Sequence, residues 1–154
     1  MQNHEEFVNL LRQRTWDKEL ILWHGTEAKL LPFLVGIQVD ALDLLDLFTP
    51  ANLPVEDDEV RTHLSRSLRQ YLKSIPRMTA THAALIVRSA GLLARYRVGV
   101  QDFYDWYCDD FAMAILLIEG SCTEGGWPDE VECGPDKLVG YFKDSQIVKR
   151  LIEA

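Results

Sequence analysis

Gly25, Thr26 and Lys29 fall within ELILWHGTEAKLLPFL, residues 19–34, in the order a phosphate-binding turn uses. An apolar run is followed by a glycine turn and then by a helical pattern with a lysine in its first turn. A working turn of this kind wraps several consecutive backbone N–H groups around the phosphates, which requires closely spaced glycines, a lysine and a following Ser or Thr for a metal ion. Here Gly25 and Lys29 stand four residues apart and Leu30 follows the lysine. Nucleotide hydrolysis also needs an acid at the end of a buried strand to hold magnesium and place water. The apolar run ALIV ends instead in Arg88, Ser89, Ala90 and Gly91, a positive charge and small residues. Both halves of the hydrolytic apparatus are degraded. The stretch therefore reads as a strand-to-helix turn with no catalytic residues and no expected cofactor. ATP or GTP held weakly by Gly25, Thr26 and Lys29 is the alternative.

Other chemistry finds less support. His4, His24, His63 and His82 are scattered without the HxxxH or HExxH spacing of a zinc site. Asp102, Asp105 and Asp109 surround FYDWYC at spacings that one helix face can share, and hard oxygen ligands of that kind can hold a divalent cation. The same spacing describes the wetted side of a helix that buries Phe103, Trp106 and Tyr107. No metal site is expected. No GxSxG elbow is present. Cys108, Cys122 and Cys133 are an odd number with no CxxC pair, which reads as buried or inert thiols.

Charge gives the stronger lead. The net charge is −8, yet no Asp or Glu occurs from Val60 to Gln101, where eight of the sixteen basic residues lie. That segment carries +8 and the remainder −16. Asymmetry of this kind speaks to partners rather than to fold. Arg66, Arg69 and Lys73 make a stripe on the polar side of a helical pattern, and Arg77, Arg95 and Arg97 follow on loops or helix ends. Such a stripe suits nucleic-acid phosphates or an acidic protein surface, with Tyr71, Tyr96 and Tyr104 available for stacking. Pairing with the chain's own acids is the reading that needs no function.

The elements that position these residues follow from hydrophobic periodicity. HEEFVNLLRQR reads as a short amphipathic helix, with Phe7, Leu10 and Leu11 on one face. ELILW, HAALIVR and MAILLIEG are near-continuous apolar runs, the pattern of strands buried on both faces. The start of GIQVDALDLLDLFTP admits a fourth strand, and its LDLLDLF a brief helix or turn. Val60, Leu64, Leu68, Leu72 and Ile75 mark a long helix from Asp58 to about Ile75. Residues 120–154 read as a loop followed by one or two short helices. Their Trp127, Tyr141, Phe142, Ile147, Val148, Leu151 and Ile152 either close the core or mark an interface. With 154 residues, one domain is expected. Its class is α/β, a three-layer fold with a mainly parallel sheet of three to five strands and helices on both faces. No apolar run is long enough to cross a bilayer, and MQNHEEFVNLLRQR lacks the order of a secretion signal, so a cytosolic location is expected.

The order ELILWHG, helix, LDLLDLF, long helix, HAALIVRSAGLLARY, crossover and MAILLIEG resembles a small P-loop NTPase core. More narrowly it is similar to the short P-loop component of BREX-type bacteriophage exclusion systems, over about Asp17 to Gly120. The resemblance implies a reduced P-loop-like subunit of a bacterial multi-protein defence assembly. The expected function is a non-catalytic adaptor that binds another subunit, and nucleic acid as a second candidate, through the basic segment. A weak nucleotide switch and a homo-oligomeric structural protein are the rival readings.

Overall fold

The computed structural model describes residues 4–49, 56–76, 81–118, 139–142, 147–148 and 150–153. The elements run α1 (His4–Leu11), β1 (Leu20–His24), α2 (Glu27–Leu30), β2 (Gln38–Asp43), α3 (Asp57–Ser74), β3 (Ala83–Arg88), α4 (Gly91–Arg95), α5 (Gln101–Trp106), β4 (Ala112–Ile118) and β5 (Arg150–Glu153). Two 3₁₀ turns, Leu31–Leu34 and Leu44–Leu47, follow α2 and β2. The five strands form one sheet in the order β2-β3-β4-β1-β5, and every pair is parallel. Call α1 and α2 the first face and α3, α4 and α5 the second; a core lies on each side, which makes three layers.

The strands' burial explains their sequence. All seven residues of β4 are buried, as are Ala83 to Val87 of β3, because helices cover both sides of the sheet centre. Side chains alternate between the layers. Leu20, Leu22, Leu85, Val87, Ala114 and Leu116 meet the second face, while Ile21, Trp23, Ala84, Ile86, Ile115 and Leu117 meet the first. α3 contributes Val60, Leu64, Leu68 and Leu72 to the second face, one apolar stripe at helical spacing. Its first turn holds Asp57, Asp58 and Glu59 and its last turn Lys73, which complements the helix dipole.

Two elements differ from the sequence-based expectation. The end of the chain, expected to be helical, contributes strand β5, because pairing with β1 over Ile21↔Arg150 to His24↔Glu153 overrides local preference. The helical pattern that carries Lys29 in its first turn narrows after Leu30 into the 3₁₀ turn that contains Pro32. The tail's Phe142, Leu151 and Ile152 are buried, Tyr141 donates its hydroxyl hydrogen to the Val98 carbonyl at 3.0 Å, and Ile147 and Val148 pack on the second face's core. These residues close the core. Trp127 lies outside the described residues.

Candidate functional site

In a parallel sheet the loops after the strands gather at one edge, and a crevice opens where neighbouring strands send their connections to opposite faces. β1 leads into α2 on the first face, whereas β2 and β3 lead into α3 and α4 on the second. Among the described connections the change of face therefore falls on the β1 side of the sheet, where Gly25 follows the strand. What the local residues do there decides its chemistry.

Gly25 continues the sheet instead of opening a nest for phosphate. Its N–H donates to the Ile118 carbonyl at 3.0 Å, one step beyond the β1–β4 ladder. The buried Trp23 pins the same turn, its indole N–H donating to the Thr26 carbonyl at 3.0 Å. Thr26 occupies the N-cap position of α2 with φ −82 and ψ 156, but its hydroxyl makes no capping bond. Lys29 is exposed, with no ion pair among the described residues. Gly25, Thr26 and Lys29 thus share one turn, and its first backbone donor is already engaged.

Arg88 ends β3, at the place where nucleotide hydrolysis would call for an acid. Its guanidinium grips Glu27 in a two-pronged pair, Nε to Oε1 at 2.7 Å and a terminal nitrogen to Oε2 at 3.0 Å. Ser89 follows with φ +60, a left-handed conformation that costs a non-glycine residue about 1–3 kcal/mol. Its hydroxyl donates to Asp43 Oδ1 at 2.7 Å, and that oxygen also accepts the Leu45 N–H at 3.0 Å. Asp43 and Arg88 are register partners, so parallel pairing of β2 with β3 assembles this group. On the other side of β1, His24 Nδ1 lies 2.7 Å from Glu153 Oε2, in contact but not aligned for a hydrogen bond.

The basic segment forms a second candidate surface. Arg61, Arg66, Arg69 and Lys73 line a groove of about 470 Å³ along the outer side of α3. Several of these cations are engaged within the chain. Arg69 pairs with Asp102 at 3.3 Å and Arg95 with Asp57 at 3.2 Å. Arg61 donates to the Tyr96 carbonyl at 2.9 Å, and the Lys73 ammonium lies 4.1 Å from the centre of the Trp106 ring. Arg66 and Arg97 have no acidic partner among the described residues, and Arg97 takes φ +58. Arg77 lies outside the described residues. Arg66, Arg69 and Lys73 do share one surface, whereas Arg95 reaches the opposite end of α3. Exposed pairs of this kind contribute only about 0–1 kcal/mol each, so a partner can displace them cheaply. Of the tyrosines considered for stacking, Tyr96 is buried and Tyr104 lies under Lys18, 4.5 Å from its ammonium.

The acids around α5 take separate roles. Asp102 holds Arg69, Asp105 accepts from the Gln101 side chain at 2.8 Å, and Asp109, beyond the helix, accepts the Phe111 N–H at 2.8 Å. No metal-binding group of three or more such residues occurs among the described residues. Likewise no described helix is long and apolar enough to cross a membrane. Sequence reasoning missed the Glu27–Arg88 and Ser89–Asp43 contacts. The partners are 61 and 46 residues apart, and only strand order brings them together.

Cys108 is buried, its thiol donating to the Glu19 carbonyl at 3.4 Å. Burial pushes its pKa up to about 12, so at pH 8 only on the order of one thiol in ten thousand is ionised. With Cys122 and Cys133 replaced by Ser, the native protein is expected to leave a disulfide reagent unreacted until denaturant is added. Prompt labelling at pH 8 without denaturant would contradict the burial.

Comparison with protein-family models, with curated proteins and with solved structures finds no match to this chain.

Proposed function

We propose that this chain is a non-catalytic accessory subunit, an adaptor that binds another protein within a prokaryotic antiphage defence assembly, with DNA as the second candidate ligand of its basic face. One observation carries the non-catalytic reading. At the sheet edge the groups that phosphate chemistry would recruit are absent or committed to partners within the chain: the Gly25 N–H to Ile118, and Arg88, in place of an acid, to Glu27. The defence setting rests on the element order from ELILWHG to MAILLIEG and its likeness to a small P-loop core.

A second reading has its own support. Gly25, Thr26 and Lys29 follow a parallel strand at its C-terminal end, the end at which α/β sheets bind ligands, which supports a nucleotide switch. Thermal unfolding with and without millimolar ATP and magnesium, and with a short DNA duplex at low and high salt, separates the two. A ligand present at about a hundredfold its Kd adds roughly 2.7 kcal/mol to the native state, enough to shift the midpoint visibly. The adaptor reading expects no shift with ATP. A rise with ATP overturns it in favour of the switch, and a rise with DNA confined to low salt assigns the ligand of the α3 face.

A further inference from the structure

A single strand of nucleic acid is held by cations in a row and by flat surfaces for its bases. α3 supplies the first. Arg66, Arg69 and Lys73 recur at intervals of three and four residues, which on a helix makes one row about 10 Å long. With Arg61 they line the groove of about 470 Å³. Its other described lining residues, Thr62, Ser65 and Gln70, are neutral hydrogen-bonding side chains, and no carboxylate lines it among the described residues. Two of the cations have donors to spare. Arg66 has no partner among the described residues. Arg69, whose side chain is 54% exposed, engages Asp102 through Nε, which leaves the donors of its two terminal nitrogens for an anion.

α5 supplies the second. It packs beside α3, where its Asp102 meets Arg69 and its Trp106 meets Lys73. Phe103 and Tyr107 anchor this segment in the core, while Trp106 stays 48% exposed, unlike the buried Trp16 and Trp23. The Lys73 ammonium lies 4.1 Å from the centre of the Trp106 ring, so a nucleotide whose phosphate meets Lys73 brings its base to the indole. The acids of α5 are Asp102, held by Arg69, and Asp105, which accepts from Gln101. An acidic protein surface would match the cations without needing the ring, and a duplex keeps its base faces stacked inside. An unpaired strand uses both features at once.

We propose that the α3–α5 face binds single-stranded nucleic acid, with phosphates on Arg66, Arg69 and Lys73 and a base stacked on Trp106. This deepens the adaptor reading by naming the form of its second candidate ligand, and it rests on that part of the reading. The test is fluorescence anisotropy of the full-length protein with labelled oligothymidylate and oligouridylate of about ten nucleotides, a duplex of the same length and an oligoglutamate peptide. The two single strands tell DNA from RNA. At least one of them should bind more tightly than the duplex, with log K falling against log salt at a slope of about −2, the value for three phosphates. Trp106→Ala should weaken that binding about tenfold, the scale of one lost base stack, and Trp106→Phe should restore most of the loss. Arg66→Gln, at an exposed position, should make the slope shallower by about 0.7 without a folding effect. No binding of either strand at about 50 mM salt overturns the proposal, as does binding indifferent to Trp106→Ala or to Arg66→Gln. So does a duplex bound as tightly, or oligoglutamate bound as tightly, since the face then belongs to double-stranded DNA or to an acidic protein. The ATP unfolding result tests the non-catalytic reading separately: a flat response to ATP with no strand bound removes this ligand alone.

Discussion

Trp23→Ala is expected to destabilise the protein by about 3–5 kcal/mol, the range for removing a large aromatic side chain from a packed core. Trp23 is fully buried on the first face of the sheet. Its ring lies within 5.7 Å of Phe7 and of Phe33, centre to centre, and His4 stacks on it at 5.9 Å. One side chain thereby seats both α1 and the 3₁₀ turn. The substitution also removes the indole donor of the Thr26 carbonyl, a hydrogen bond that contributes about 1 kcal/mol in a typical site. Against the total stability of a domain, about 5–15 kcal/mol, this is a large fraction. Urea unfolding gives the number directly. Trp23→Phe, which keeps most of the contact and loses the donor, should fall well short of the alanine variant. A loss under about 1 kcal/mol for Trp23→Ala would mean that the first layer is not packed as described.

The turn that Trp23 pins is the one whose glycine and lysine resemble a phosphate site. Its rigidity serves the sheet: the Gly25 N–H extends the β1–β4 ladder, and the Thr26 carbonyl is tied to the core beneath. A chain that needed those backbone groups for a ligand would leave them unpaired. The same economy appears at Arg88, where an internal carboxylate fills the guanidinium fork. These contacts are the support for the proposed adaptor over a nucleotide site.

How much of this was legible in the sequence depends on the range of the interaction that decides each element. α3 was legible because Val60, Leu64, Leu68 and Leu72 repeat at a local period, and β3 and β4 because burial on both faces leaves an unbroken apolar run. β5 was not legible. RLIE continues the spacing of Ile147 and Val148 and becomes a strand only by pairing with residues 129 positions earlier, Ile21 with Arg150. The site divides in the same way. Gly25, Thr26 and Lys29 are neighbours in sequence and were found as a group, and the departure from a phosphate turn was already visible at Leu30 and Arg88. Glu27 with Arg88 and Asp43 with Ser89 are joined by strand order, which no local pattern encodes. The exposure of Val39 and Ala41 was equally hidden, since QVDALD alternates like any half-buried strand.

Arg150→Ala is expected to cost about 3–5 kcal/mol, the price of leaving a buried charge without its partner. Glu19, just before β1, is only 3% exposed. Arg150, which opens β5, holds it with Nε to Oε2 at 3.0 Å and a terminal nitrogen to Oε1 at 3.2 Å. β5 is a four-residue edge strand whose ladder runs to β1 alone, so this pair is a main side-chain tie between the chain's last strand and its first. The hydrogen bond to Glu19 raises the Arg150 pKa above its ordinary value. A raised pKa means that the contribution is complete below the unfolded-state value and is lost only as pH climbs through the still higher folded one, so no alkaline loss is expected in any ordinary buffer. Urea unfolding should show the full destabilisation, and hydrogen exchange should show the Leu151 and Ile152 amides opening before those of β4. The paired replacement Glu19→Leu with Arg150→Leu separates charge from packing. Removing both charges is often neutral or stabilising by about 1–4 kcal/mol, so the double variant should recover most of what the single one loses. If Arg150→Ala costs less than about 1 kcal/mol, the pair behaves like an exposed one, and β5 is held by Leu151 and Ile152 in the core rather than by its charge.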